Sequence, residues 1–158
     1  VFRSEPNLEL VEALAPFGAK IVVTKNGSVD QMLEAGFSAS KSDLCLAVRE
    51  NIPFLKPSLV FALFEAARGN DAALPKWSDG RIESFPAVYR RNALLGAIKQ
   101  NRGLTKPLEI VDALYAVRYV DIEKELKPLD PDLRSFMFVD NARQLENARN
   151  YVMMNAKM

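Results

Sequence analysis

Residues 43–60, "DLCLAVRENIPFLKPSLV", decide how the rest of the chain is read. Asp43–Val48 is a near-continuous apolar run. That pattern belongs to a strand covered on both faces, as in a parallel sheet. Arg49–Pro57 is a polar loop interrupted by proline. Ser58–Ala67 follows with helical character, and Pro57 suits its first turn. Open α/β sheets collect ligands outside the carboxyl ends of their strands, where such a loop sits. The polar side chains that mark this end are Glu50 and Asn51.

Outward from this unit, helical and strand patterns alternate. On the N-terminal side, Ser4 is an N-cap candidate for a helix carrying Leu8, Val11, Leu14 and Ala15, stopped by Pro16 and Gly18. The β-branched "AKIVVTK" (Ala19–Lys25) predicts a strand, Asn26-Gly27 a turn, and Val29–Phe37 a short helix. On the C-terminal side, the helix opened by Pro57 runs to a Gly69-Asn70 stop. Ala72–Pro75 predicts a strand and Lys76–Arg81 a polar turn with the sole tryptophan. Ile82–Arg90 predicts an edge or bulged strand because Pro86 cannot donate to a ladder. Helices are expected over Arg91–Asn101 and Pro107–Leu114, strands over Tyr115–Ile122 and Phe136–Val139, and a last helix over Ala142–Met154. Leu129–Ser135 reads as a turn. The fold class is therefore α/β, one three-layer domain over residues 1–158 with a mostly parallel sheet.

Composition narrows the chemistry. The chain has 158 residues, a net charge of +1 with both signs interspersed, and no apolar run that would span a bilayer. Neither a nucleic acid nor a membrane is expected as partner, and a cytoplasmic setting is. Cys45 is the only cysteine, so no intrachain disulfide forms and a buried packing role is expected for it. The absence of histidine removes imidazole bases and ligands, so any metal must sit on carboxylate or amide oxygens, which suits Mg²⁺. The chain opens on Val1 rather than methionine, which leads us to expect a missing or processed N-terminus.

Three groups are candidates for chemistry: Glu50 with Asn51; Asp79, Arg81 and Glu83 in the polar turn; and Asp140 with Asn141. Asp140-Asn141 also fits a helix cap. Trp77 suits stacking on a base or covering the edge of a core. Tyr89-Arg90-Arg91 suits a bidentate phosphate contact or an exposed junction. Neither G-x-G-x-x-G nor G-x-x-x-x-G-K-[ST] occurs.

Three stretches, in order, resemble the molybdenum cofactor guanylyltransferases and their nucleotidyltransferase relatives. "DLCLAVRENIPFLKPSLV" is similar to their strand, "CDMPFL-P" loop and helix. "AALPKWSDGRIESFPAVYRR" (Ala72–Arg91) is similar to "vP-w-nG-iePLhAvYrr". "RSFMFVDNARQLENAR" (Arg134–Arg149) is similar to the closing "FfNvNTpeDL". The resemblance implies a nucleotide-binding α/β sandwich, GMP transfer from GTP to the phosphate of molybdopterin, and Mg²⁺ as cofactor. It places metal contacts at Asn51 and Asp140, a nucleotide contact at Gly27, and substrate contacts at Tyr89 and Arg90.

The departures are specific. The family aspartate that holds Mg²⁺ falls at Asn51, and two family asparagines fall at Phe138 and Asp140. Asp140 is a chemically sensible replacement and Phe138 is not. The family histidine falls at Pro86. The opening strand and its Gly-rich "LAGG-S-RMG-DK" loop have no counterpart, and the usual "GPLgGi" is reduced to Gly27 and Gly36. A truncated or degenerate guanylyltransferase, weakly active or inactive, is therefore expected. The alternatives are a non-catalytic nucleotide- or protein-binding derivative, and a nucleotidyltransferase with another acceptor. A second copy of the chain or a partner chain is expected to cover the gap in the sheet.

Overall fold

The apolar run at Leu44–Ala47 is strand β1 in a computed structural model that describes residues 1–2, 5–24, 27–101, 103 and 106–155. Ser4, Lys25 and Asn26, to which the sequence reading gave parts in a cap, a strand and a turn, lie outside the described residues. The elements in chain order are α1 (Leu8–Leu14), α2 (Val29–Ala39), β1, α3 (Pro57–Ala66), β2 (Ala72–Lys76), β3 (Ala87–Arg90), α4 (Arg91–Gln100), α5 (Pro107–Val111), β4 (Val117–Asp121) and α6 (Ala142–Asn155). Three short turns of helix interrupt them at Ala15–Phe17, Ile122–Leu126 and Arg134–Phe136.

The four strands form one sheet in the order β1-β3-β2-β4. Arg91 N donates to Asp43 O, just before β1, at 2.7 Å, and Arg90 N to Asp71 O, just before β2, at 2.7 Å. The end of β3 thus meets the starts of both neighbours, so β3 runs antiparallel to them. Asp71 N donates to Ala116 O at 2.7 Å, which aligns the starts of β2 and β4 in parallel. The expected α/β class is observed, and the sheet is mixed.

Three strand boundaries differ from expectation. In the described part of the expected first strand, Val23 forms a parallel bridge with Phe2, as Phe2 N donates to Val22 O and Thr24 N to Phe2 O. Of Ile82–Arg90 only Ala87–Arg90 joins the sheet as a strand. Ile82 instead bridges back to Lys76 across a tight turn in which Gly80 takes φ +92°. Phe136–Val139 is not a strand: Arg134–Phe136 is a short helical turn entered through Leu133 at φ +51°.

The described chain divides into two compact units. The first comprises Val1–Cys45, Gly69–Ala72 and Tyr89–Val117. In it α2 and α4 pack together, and Phe37, Tyr89, Leu94, Ile98, Ile110 and Val111 are buried. The second comprises Leu46–Arg68, Ala73–Val88 and Arg118–Met158. Leu59 and Leu63, four apart on α3, are fully buried, as are Leu74, Val88, Ile122 and Leu126. Each buried leucine contributes about 1.5–3 kcal/mol of transfer free energy. No helix among the described residues is long and apolar enough to cross a membrane.

Candidate functional site

In the second unit the loop after β1 is stitched to the segment between β4 and α6. Asp130 is fully buried, and its Oδ2 accepts from Ser135 N at 2.7 Å. Its Oδ1 faces Lys56 Nζ at 3.0 Å, as an ion pair rather than a well-directed hydrogen bond. Burial pushes the Asp130 carboxyl up, but the Ser135 N–H and the Lys56 ammonium outweigh it and hold it below the ordinary value. Lys56 N donates to Ser135 Oγ at 3.0 Å, and Ser135 Oγ donates to Phe54 O at 3.4 Å. Further along, Val139 N donates to Asn51 O at 2.9 Å.

These ties bring Asn51 and Asp140 together across 89 positions of sequence: Asn51 Nδ2 donates to Asp140 Oδ1 at 2.5 Å. The other end of the amide, Asn51 Oδ1, is buried and has no hydrogen-bond partner among the described residues. A buried acceptor left unmatched costs about 1–3 kcal/mol. Asp140 is exposed and spared from capping, because Asn141 performs the cap: its Oδ1 accepts from Gln144 N at 3.0 Å. Gln144 Oε1 in turn accepts from Asp140 N at 2.7 Å, which fixes the backbone that carries the carboxylate. One residue pair outward, the Arg49 guanidinium lies 5.3 Å from the centroid of the Phe138 ring.

The donor set suits Mg²⁺. That ion keeps several waters and takes one or two protein oxygens plus substrate phosphates, rather than an all-protein cage. An unmatched amide oxygen beside an exposed carboxylate supplies two such oxygens. No group of three or more Asp, Glu, Cys or His side chains that would hold a metal occurs among the described residues. Where the resemblance places a carboxylate and then an amide, the chain carries an amide and then a carboxylate.

The other sequence candidates are placed differently. In the second unit, Asp79 accepts from Arg81 N at 3.0 Å and Arg81 Nε at 2.7 Å, so this pair closes its own turn. Arg81 backbone and side-chain donors hold the Asp79 carboxyl below its ordinary value. Trp77 Nε1 donates to Glu83 at 2.7 Å while its ring meets Phe136 edge-on, which makes it part of the packing. Gly27, Tyr89 and Arg90 belong to the first unit. Tyr89 is 2 % exposed against Phe37, and burial pushes its phenol up. Arg90 pairs with Asp43 and donates to Asn70 O, so its guanidinium carries structural bonds. Gly27 precedes Ser28, the N-cap of α2. There Asp30, bonded by Ser28, Gln31 N and Gly103 N, already places a buried carboxylate at the helix start.

Lys56, Asp130 and Ser135 were not singled out from sequence. Their only signal was an Asp-Pro-Asp turn, which does not announce that one of its carboxylates is buried.

No family model matches the chain. Among curated proteins, one named "Probable molybdenum cofactor guanylyltransferase" from Natronomonas pharaonis is 31% identical over 144 residues, 88% of this chain and 67% of the relative. The chain belongs to the molybdenum cofactor guanylyltransferase family. A protein of the same name from Methanosarcina mazei is 34% identical over 116 residues, 73% of this chain. The chain spans about half the length of that relative (51%). Among solved structures, molybdopterin-guanine dinucleotide biosynthesis protein A from Archaeoglobus fulgidus superimposes with a TM-score of 0.73 at 23% identity, covering 96% of this chain and 76% of its own. The 2-C-methyl-D-erythritol 4-phosphate cytidylyltransferase of Thermus thermophilus does so with a TM-score of 0.60 at 20% identity, covering 91% and 88%. Both share the fold of this guanylyltransferase family member.

Proposed function

We propose that this chain carries the metal-binding part of a molybdenum cofactor guanylyltransferase, which transfers GMP from GTP to the phosphate of molybdopterin. The observation that carries the reading is the meeting of Asn51 and Asp140, with an amide oxygen left unmatched beside a carboxylate. The name that the relatives carry, probable molybdenum cofactor guanylyltransferase, supports this choice of reaction.

In that reaction an acceptor phosphate oxygen attacks the α-phosphorus of GTP. One P–O bond forms, the α–β bridging bond breaks, and pyrophosphate leaves. Mg²⁺, when bound, neutralises charge on the phosphates. Asn51 Oδ1 and Asp140 would hold it, and the Asn51 N–H fixes the direction of the carboxylate. A phosphate monoester has its second pKa near about 6 and is largely ionised at neutral pH. The nucleophile therefore needs no general base.

The expectation of a weak or inactive protein rested partly on Asn51 in place of a carboxylate. In this reading Asp140, against Asn51, supplies the one carboxylate of the pair, and turnover is what the assay decides. The test is titration calorimetry of GTP into the protein with and without Mg²⁺, followed by pyrophosphate release on adding molybdopterin. Mg²⁺-dependent binding is expected; GTP affinity that ignores Mg²⁺ would refute the reading.

A further inference from the structure

Two contacts, two residues apart, link the same two segments of the second unit. Asn51 meets Asp140, Arg49 meets Phe138, and the bond from Val139 N to Asn51 O lies between them. Three arginines of this unit pair with carboxylates: Arg81 with Asp79, Arg118 with Glu125 and Arg134 with Asp132. Arg49 is exposed and has no ion-pair or hydrogen-bond partner among the described residues. Its guanidinium is held by an aromatic ring, which leaves its N–H groups to meet an anion.

We propose that Arg49, seated on Phe138, binds the polyphosphate chain of the nucleotide whose cation sits at Asn51 and Asp140. The proposal rests on the metal reading above. A guanidinium presents a planar fork that matches phosphate oxygens two at a time. The ring contact orders a side chain that otherwise samples many rotamers, so less entropy is lost on binding. Local charge sets a condition. Asp140 and the exposed Glu50 are both negative and repel phosphate, so Arg49 and a divalent cation must act together. Anion binding through Arg49 is therefore metal-dependent.

The experiment compares wild type, Arg49→Ala, Arg49→Lys and Phe138→Leu by calorimetry. Inorganic tripolyphosphate and GTP are titrated with Mg²⁺ present, and Mn²⁺ is titrated alone. Loss of a charge-assisted contact should weaken tripolyphosphate and GTP by roughly tenfold or more in Arg49→Ala. Arg49→Lys should recover part of the loss, Phe138→Leu should show an intermediate one, and Mn²⁺ affinity should not move. Equal Mg²⁺-dependent binding by wild type and Arg49→Ala overturns the proposal and leaves the metal reading standing. Mn²⁺ affinity falling in step with the anion also overturns it, because Arg49 would then merely support the metal pair. Wild type that binds neither anion with Mg²⁺ overturns the proposal and the metal reading together.

Discussion

The sharpest prediction concerns the exchanged pair. Asp140 is the only carboxylate in the contact, so Asp140→Asn leaves two neutral amides facing each other. The fold should tolerate this, since one amide still donates to the other at an exposed position. Metal affinity should not. Two unit charges about 4 Å apart attract by about 1 kcal/mol in water, and a divalent ion doubles this to about 2 kcal/mol. The exposure of Asp140 makes the dielectric of water the right choice. A loss of about 2 kcal/mol corresponds to about 30-fold weaker binding. Asn51→Asp should do the opposite at neutral pH, by setting two carboxylates where the amide donated at 2.5 Å. Without metal the like charges raise the pKa of one group, so this variant should be less stable and its metal affinity should rise with pH. The double exchange, Asn51→Asp with Asp140→Asn, restores one carboxylate and one amide and should bind within a few-fold of wild type. Free Mn²⁺ counted by electron paramagnetic resonance, with Mg²⁺ as competitor, reads all four proteins without any turnover. Asp140→Asn binding as tightly as wild type would refute the reasoning, as would a double variant no better than Asp140→Asn.

Lys56→Met should cost about 3–5 kcal/mol in urea unfolding, because it strands a carboxylate with no exposure. Asp130→Asn should cost less, about 1–3 kcal/mol, since the half-exposed lysine returns to water. The apolar pair Lys56→Met with Asp130→Leu should recover much of the stability yet weaken Mn²⁺ binding, by loosening the loop that carries Asn51; unchanged Mn²⁺ affinity would argue against that role. Acid unfolding should follow Asp30 and Asp130, both held below their ordinary value of 3.8. For Asp30 the Ser28 hydroxyl is the largest cause. Because the unfolded chain takes up protons first, their stabilisation is full above about pH 5 and is lost as pH falls through the folded values. Asp130→Asn should therefore flatten stability against pH below about pH 4, as read by circular dichroism. Tyr89→Phe should leave Mg²⁺-dependent GTP affinity unchanged, because the ring is packed against Phe37 at 2 % exposure.

The strand, loop and helix around Asn51 were legible because their signals are local. An uninterrupted apolar run marks β1, Pro57 marks the start of α3, and Gly69 stops it in the left-handed region at φ +75°. The direction of β3 was not legible, since "AVYR" reads the same in a parallel or antiparallel setting. "FMFV" has strand composition and still does not form one. Ser135, buried just before it, spends its backbone N–H on Asp130 instead of a ladder. The Asn51–Asp140 contact spans 89 positions and has no periodicity, so each end could be marked separately from sequence and only the resemblance joined them in one site.

A fully buried aspartate is poor value as a source of stability, because desolvation offsets most of what its ion pair contributes. Its position suggests what it does instead. Asp130 binds Ser135, Ser135 binds the backbone at Phe54 and Lys56, and Lys56 closes the circuit on Asp130. That circuit fixes the Phe54–Lys56 end of the "NIPFLK" loop, and the bond from Val139 N to Asn51 O ties its other end to the segment that leads to Asp140. A hydrophobic contact would tolerate sliding by a fraction of an ångström; directed hydrogen bonds at about 3 Å tolerate much less. A pair of oxygens shared with a small, near-octahedral ion needs that register. The bond from Val139 N to Asn51 O carries the contact between these segments on to Asn51 and Asp140, and the Arg49–Phe138 pair lies on the same two segments.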